Sequence, residues 1–132
     1  DGVASNESGS MTGEVNTAWL IHHAAQGASA TTAEEVIHWA TAGGARVLGL
    51  GEVGTLQVGQ AADLVLYDIN HPRFYGFHDP AIAPVAAGEP ITVRTSIIGG
   101  RVVVDEGVVC GLDVASIRAE ASQGVADLMA CA

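Results

Sequence analysis

The spacing of the apolar residues changes near Leu50, and no other feature constrains the fold of this 132-residue chain as strongly. Before Leu50, apolar side chains recur at helical spacing, which predicts a helix from about Ser10 to Ala25 and a second helical stretch over residues 33–48. After Leu50 they recur with a period of two, which predicts short strands. The predicted apolar face of the first helix, with Glu14 and Asn16 on the opposite side, consists of Met11, Val15, Ala18, Trp19 and His22.

Two overlapping S/T-x-x-E patterns, at Thr31 and Thr32, predict the start of the second helix, because this pattern caps the first backbone N–H groups. Gly43-Gly44 lies inside that helix and costs roughly 1 kcal/mol per glycine relative to alanine. We therefore expect a break or a close helix contact there. Trp19 and Trp39 are expected to face the core.

Glycine-containing turns separate five short β-rich runs in the second half of the chain. Gly99-Gly100 predicts a two-residue hairpin, because glycine adopts a positive φ without strain. Asn70–Pro90 carries all four prolines and is expected to be a long ordered excursion, functional or interfacial. A last helix should begin after Asp113 as N-cap. The predicted strands are Thr55–Val58, Ala62–Tyr67, Val93–Ile98, Arg101–Val104 and Val108–Cys110, and the apolar face of the last helix is Val114, Ile117, Ala121, Val125 and Leu128.

The two predicted helices that precede the sheet have no strands of their own to cover. An amphipathic helix must bury its apolar stripe against another layer, so these helices need partners that the chain does not supply. The sequence also begins with Asp1 in place of Met. We therefore expect an α/β fold that forms the C-terminal end of a larger protein.

Charge and cysteine usage exclude several classes of function. The formal net charge is −10, and the five basic residues are single, scattered arginines, so no basic stripe is present that could follow nucleic acid or an anionic membrane. No apolar run is long enough to span a bilayer. Cys110 and Cys131 have no Cys or His at ligand spacing, which argues against a thiolate zinc site and predicts free thiols in the reducing cytoplasm.

Three segments, in this order, resemble motifs of the amidohydrolase superfamily, and specifically its aminohydrolase branch of guanine-, 8-oxoguanine- and pterin-type deaminases and triazine hydrolases. Asp1–Asn6 (DGVASN) is similar to the turn that closes the eighth barrel strand in that branch. Thr41–Gly49 resembles the helix that packs under the barrel end. Gly54–Asp68 is similar to the signature G-x-L-x-x-G-x-x-A-D-L-x-x-x-D of the accessory β-sandwich. Phe77–Pro80 and Arg101–Val104 look most similar to isoxanthopterin and 8-oxoguanine deaminases.

This resemblance implies the last third of a longer enzyme, since a (β/α)8 barrel alone takes about 250 residues. Residues 1–50 would be the end of the metal-dependent barrel domain, with its last helices. Residues 51–112 would form part of the β-sandwich, and residues 113–132 would be the C-terminal helix. The His-x-His of the first barrel strand and the later metal and substrate residues of the family are absent from the sequence.

Hydrolytic loss of an amine from an aromatic ring carbon needs a hydroxide at neutral pH and a proton for the leaving nitrogen. A divalent ion lowers the pKa of its bound water from 15.7 to about 7 and so supplies that hydroxide as the nucleophile. The resemblance implies that Asp1 is both a metal ligand and the general base, at the C-terminal mouth of the last barrel strand. It implies one divalent ion, zinc or iron, whose other ligands precede Asp1. In the isolated fragment Asp1 would be an ordinary terminal carboxylate, and we expect that fragment to be inactive.

Other polar residues have simpler explanations than catalysis. Ser5, Asn6 and Ser8 are expected to cap the following helix, although they could also face substrate. None of the five histidines has the spacing of a zinc-binding pair: His22 and His38 are expected in the core, and His71 and His78 in turns or subunit contacts. Asp63 and Asp68 are expected to accept hydrogen bonds from turn backbone.

The predicted function is hydrolytic deamination of an aminated fused heterocycle, such as isoxanthopterin or 8-oxoguanine, by the parent enzyme. Triazine amino- or chlorohydrolysis and cyclic-amide hydrolysis are the alternatives within the superfamily. A non-catalytic β-sandwich module that mediates assembly is the alternative outside it. The expected partners are the small heterocyclic substrate, the rest of the parent barrel and a second copy of the chain, which would contact His71–Pro90.

Overall fold

A computed structural model describes residues 9–86 and 91–131 of the chain. Its first half is helical, as the apolar spacing predicts. Helix α1 spans Met11–Gln26, and its N-cap is Ser10, whose Oγ accepts a hydrogen bond from the N–H of Gly13 at 3.1 Å. Helix α1 ends before Gly27, which has a φ of +94° that glycine adopts readily. The predicted first helix is therefore confirmed to within a residue at each end.

The second helical stretch begins at the predicted capping box. Helix α2 spans Ala33–His38, and the Thr32 hydroxyl and the Glu35 carboxylate each accept a hydrogen bond from the other residue's backbone N–H. The chain then continues as a π-helix over Trp39–Gly43 and as α3 over Gly44–Val47. The glycine pair therefore coincides with a change of helical hydrogen bonding, while the chain keeps its helical course through both residues.

The second half is built around one four-stranded antiparallel sheet with the order β1-β2-β3-β4. The predicted Gly99-Gly100 hairpin is confirmed, with φ values of +55° and +77° at the two glycines. Glu106 and Gly107, at +45° and +78°, make the next turn. The strands are β1 (Leu64–Asp68), β2 (Thr92–Ile98), β3 (Arg101–Asp105) and β4 (Val108–Val109).

The predicted strand Thr55–Val58 is wrong. Within the described residues this run pairs with no strand, and Leu56 and Val58 are fully or mostly exposed. A strand requires a neighbouring ladder to accept and donate its backbone hydrogen bonds, and an apolar, β-branched run does not provide one by itself. The chain instead turns at Gly59, where φ is +96°.

The long excursion is ordered over the part that the structure describes, residues 70–86. It forms two short 3-10 helices, Pro72–Phe74 and Pro80–Ile82, and then the short helix α4, Ala83–Ala86. Phe74, Ala83 and Ile91 form a buried cluster against which Tyr67 and Phe77 pack. The excursion therefore supplies much of the core between the helices and the sheet.

Helix α5 spans Val114–Ala130 and begins at the predicted N-cap Asp113, whose Oδ1 accepts from the N–H groups of Ala115 and Ser116. Every described residue of α5 is exposed, and its apolar face is not covered by the rest of the described chain. In the part of the chain that the structure describes, no helix combines the length and apolar character needed to cross a membrane.

Candidate active site

The predicted catalytic residue and metal ligand, Asp1, lies outside the described residues, as do Ser5, Asn6 and Ser8. The assignment of Asp1 therefore stays a prediction. The N-cap of α1 is Ser10 and not one of the three residues expected to cap this helix. The described chain enters α1 through Gly9 and Ser10, and the Ser10 Oγ also contacts the Thr12 Oγ1 at 3.0 Å. The segment that contains Asp1 thus leads into a helix whose first turn is well capped.

His22 and His23 are satisfied by local hydrogen bonds. His22 is half-buried, its Nδ1 lies 2.8 Å from the carbonyl oxygen of Ala18, and its ring packs against Trp39. The Nε2 of His23 lies 2.8 Å from the carbonyl oxygen of Thr31, and so joins the end of α1 to the start of α2. His22 makes the expected local hydrogen bond, but it is half-buried and not part of the buried core, so its predicted core position is confirmed only in part.

Two expectations of core burial are wrong. His38 is exposed, and Trp39 keeps 44% of its surface exposed. Trp39 begins the π-helix, and its ring packs against that of His22 on α1, with ring centroids 5.3 Å apart, so only part of its surface is covered. His71 is a turn residue as predicted, because its Nδ1 accepts from the N–H of Arg73 at 3.4 Å. The subunit contact predicted for His71–Pro90 stays a prediction.

Among residues 9–86 and 91–131, no three or more His, Cys, Asp or Glu side chains are grouped so that they could hold a metal ion. The described residues therefore do not fit a metal site of their own.

Asp63 and Asp68 act on the backbone of turns, as predicted. The Asp63 Oδ1 accepts from the N–H of Gly99 at 2.5 Å and so joins the start of β1 to the β2–β3 hairpin. The Asp68 Oδ1 accepts from the N–H of Asn70 at 2.8 Å, where the excursion leaves the sheet. These hydrogen bonds give each carboxylate a structural role in a turn, and they do not bring the two together as a catalytic pair.

Among the residues that the structure describes, three pKa values depart from their ordinary range, each for a structural reason. The hydrogen bond from the backbone of Thr32 and the bond from the Thr31 hydroxyl lower the pKa of Glu35. Partial burial raises the pKa of Tyr67. The hydrogen bond and charge of Glu106 raise the pKa of Arg94, and this ion pair, at 2.8 Å, is exposed on the sheet. All three shifts belong to structural contacts.

Gly54, the first residue of the β-sandwich signature, has a function in packing that sequence reasoning missed. A Cβ at this position would lie 2.9 Å from the Cα of Ala42 and from the Cβ of Ala45, and 3.0 Å from the carbonyl oxygen of Thr41. The backbone at Gly54 therefore lies directly on the π-helix and α3. The glycine itself could have indicated this contact, because glycine often marks a site where another backbone approaches closely.

The position predicted for Asn16 is also wrong, because the apolar spacing puts this residue on the polar side of the helix. It is instead the buried residue of α1, and its Nδ2 donates to the carbonyl oxygen of Val85. The helical repeat of apolar residues cannot predict a hydrogen bond to a carbonyl from a distant part of the chain.

A family model described as the amidohydrolase family matches residues 1–103. The chain belongs to the amidohydrolase family. This amidohydrolase chain is 45% identical to an isoxanthopterin deaminase of an unknown prokaryotic organism over 98% of its length. It is 37% identical to an 8-oxoguanine deaminase of Pseudomonas aeruginosa over 98% of its length. It covers 30% and 29% of those two proteins, so it spans less than a third of the curated relatives it matches.

Solved structures give the same result. The amidohydrolase chain superposes with a TM-score of 0.86 and 44% identity on an amidohydrolase from an environmental sample of the Sargasso Sea, over 98% of this chain and 30% of that one. It superposes with a TM-score of 0.84 and 30% identity on a zinc-complexed atrazine chlorohydrolase of Arthrobacter aurescens, over 92% of this chain and 28% of that one. The fold of the described residues is thus a fold of this family.

Proposed function

We propose that the chain is the C-terminal part of a metal-dependent aminohydrolase that removes an amine from a fused heterocycle, with isoxanthopterin or 8-oxoguanine as the leading substrate types. The observation that carries the proposal is the 45% identity to an isoxanthopterin deaminase over 98% of the chain. The identity to an 8-oxoguanine deaminase supports the same reaction class.

In this proposal Asp1 provides the carboxylate of the reaction. A divalent ion, when bound, supplies a hydroxide at neutral pH. Asp1 would be one of the residues that hold this ion, and its carboxylate would accept a proton from the attacking water and deliver it to the leaving nitrogen, so that a C–O bond forms, the C–N bond breaks and ammonia leaves. The zinc named with the atrazine chlorohydrolase structure supports zinc as the ion.

The exposed apolar residues support a missing partner. Leu20 and Ile21 on α1 are 52% and 59% exposed, and Leu48 after α3 is 72% exposed. Exposed apolar side chains of this size on the helices are typical of surface that is covered in a complete protein. We infer that the rest of the parent barrel covers it, as the family membership suggests.

The decisive experiment replaces Asp1 in the full-length parent enzyme. Asp1→Asn is expected to abolish ammonia release from isoxanthopterin and 8-oxoguanine while the thermal unfolding midpoint stays near that of the parent, because the substitution removes the proton acceptor and keeps the side-chain shape. Asp68→Asn is the matched control, since Asp68 accepts one turn hydrogen bond on the sheet. Turnover that survives Asp1→Asn would refute the assigned role.

A substrate panel distinguishes the alternatives. Ammonia released from a pterin or an oxopurine supports the proposal, whereas amine or chloride released only from a triazine supports the activity of the atrazine chlorohydrolase relative. A parent protein that lacks a bound divalent ion and releases neither product would support the assembly module. Metal analysis of the purified parent is expected to find one zinc ion per chain.

A further inference from the structure

The four-stranded sheet has little buried contact of its own. Over residues 9–86 and 91–131, no residue of the four strands is buried, although most of these residues are apolar. The buried apolar residues lie instead in the helices before residue 50, in residues 70–86 and at Ile91. The buried contacts of the described chain therefore join the sheet to the helices through residues 70–86, which we call the strap.

The strap is attached to the sheet by an apolar cluster. Phe74 and Ala83 of the strap are buried together with Ile91, which directly precedes β2. Tyr67 of β1 packs against the same cluster. The hydrophobic effect has no preferred direction, so this cluster holds the strap on the sheet without fixing its orientation.

The strap is attached to the helices by contacts that include a directional bond. Its last element, α4, contacts both α1 and α2. The Nδ2 of Asn16 on α1 donates to the carbonyl oxygen of Val85 in α4. Asn16 is 7% exposed and Val85 is fully buried, so solvent has little access to this bond. Because a buried carbonyl without a donor is costly, we call this hydrogen bond the anchor of the strap.

Helix α4 is too short to be stable alone. It has four residues, and isolated helices of fewer than about 12 residues are marginal in water. Ala83 of α4 belongs to the cluster on the sheet side, and Val85 belongs to the anchor on the helix side. Loss of either attachment therefore removes a support on which the other depends.

We propose that the strap couples the sheet to the helices, so that the two open and unfold as one cooperative unit. Parts of a protein that lack such coupling open separately, each with its own free energy. While the anchor is intact, a substitution that destabilises the helices also makes the sheet open more often. Neither Asp1 nor any reacting group takes part in this coupling.

The experiment is a double-mutant cycle in the full-length parent enzyme, measured by amide hydrogen exchange. Thr32→Ala removes the N-cap of α2, and Asn16→Ala removes the anchor. In the parent, Thr32→Ala is expected to accelerate exchange of the slowest α1 and β2 amides by the same factor, about fivefold. In the Asn16→Ala background, Thr32→Ala should accelerate the α1 amides about fivefold and leave the β2 amides within twofold, because the sheet then opens without the helices.

Thr41→Val provides the matched control background. It also removes a hydrogen bond between a side chain and a backbone carbonyl, but that bond, to Ile37, lies within the second helical stretch. In this background Thr32→Ala should still accelerate the α1 and β2 amides by the same factor.

Three outcomes would overturn the coupling. In the first, Thr32→Ala accelerates α1 in the parent and leaves β2 within twofold, so that the sheet already opens separately. In the second, β2 still follows α1 in the Asn16→Ala background. In the third, Thr41→Val uncouples β2 from α1 as completely as Asn16→Ala does.

A second variant replaces Asn16→Ala if that protein does not fold. Phe74→Leu weakens the sheet end of the strap and carries the same expectations and criteria. Ammonia release is not measured in any arm, so the result is independent of whether Asp1 is the proton acceptor.

Discussion

The contact of Gly54 with the π-helix permits a quantitative test of the packing between the helical half and the segment before the sheet. Gly54→Ala adds one methyl group to a backbone with a φ of +92°. A positive φ costs a non-glycine residue about 1–2 kcal/mol. The new Cβ would also lie 2.9 Å from the Cα of Ala42, which is backbone and cannot rotate away. Overpacking of this kind costs about 1–3 kcal/mol, so the expected total loss is about 2–5 kcal/mol.

Two other glycines allow the cost of a positive φ to be measured separately from the cost of overpacking. Gly49 has a φ of +71°, and a Cβ added there would meet no atom within 4 Å, so Gly49→Ala should cost only the strain, about 1–2 kcal/mol. Gly44 has helical dihedral angles and also has open space, so Gly44→Ala should stabilise the protein by about 0.5–1 kcal/mol.

The assay is the thermal unfolding midpoint of the full-length parent and its three variants under identical conditions. The expected order of stability is Gly44→Ala, then the parent, then Gly49→Ala, then Gly54→Ala. If Gly54→Ala is no less stable than Gly49→Ala, the close approach to Ala42 and Ala45 has no energetic weight and the packing argument is wrong.

Two further predictions concern charged groups. Hydrogen bonds from Thr32 and Thr31 lower the pKa of Glu35 below its ordinary value of 4.5. The ionised Glu35 carboxylate therefore stabilises the fold above pH 4.5, and this stabilisation is lost as the pH falls through the lowered pKa. Glu35→Gln should therefore weaken the acid dependence of unfolding below pH 4.5, and an unchanged pH profile would contradict this. Asp63→Ala removes the acceptor for the Gly99 N–H and should cost about 1–2 kcal/mol in denaturant unfolding, whereas Asp63→Asn should cost less; equal losses would show that the acceptor is irrelevant.

Local features of the fold followed directly from the sequence. The Asp113 cap, the Thr32–Glu35 capping box and the Gly99-Gly100 hairpin each depend on atoms only a few residues apart. Such features are encoded by side-chain chemistry and by the φ values that each residue tolerates. The carboxylates of Asp63 and Asp68 were predictable for the same reason, since aspartate beside a turn commonly binds backbone N–H groups.

The candidate site was predictable only through family motifs. Three segments of the sequence resemble amidohydrolases, and the match to the family model confirms them as a set. Asp1 remains a prediction, because it lies outside the described residues. The described residues hold no cluster of metal-ligating side chains, so no spacing within them could have revealed the site.

The sequence by itself determined where helices begin, where the chain turns and to which family it belongs, because these depend on local chemistry and on motif identity. Only the tertiary structure decided that Asn16 is buried, that Trp39 is partly exposed, that Thr55–Val58 forms no strand and that Gly54 contacts the helix. Each of these outcomes depends on which segment, distant in sequence, packs against the residue. Whether a residue is buried or a strand is paired depends on both of the surfaces that come into contact, whereas the apolar spacing along the sequence describes only one of them.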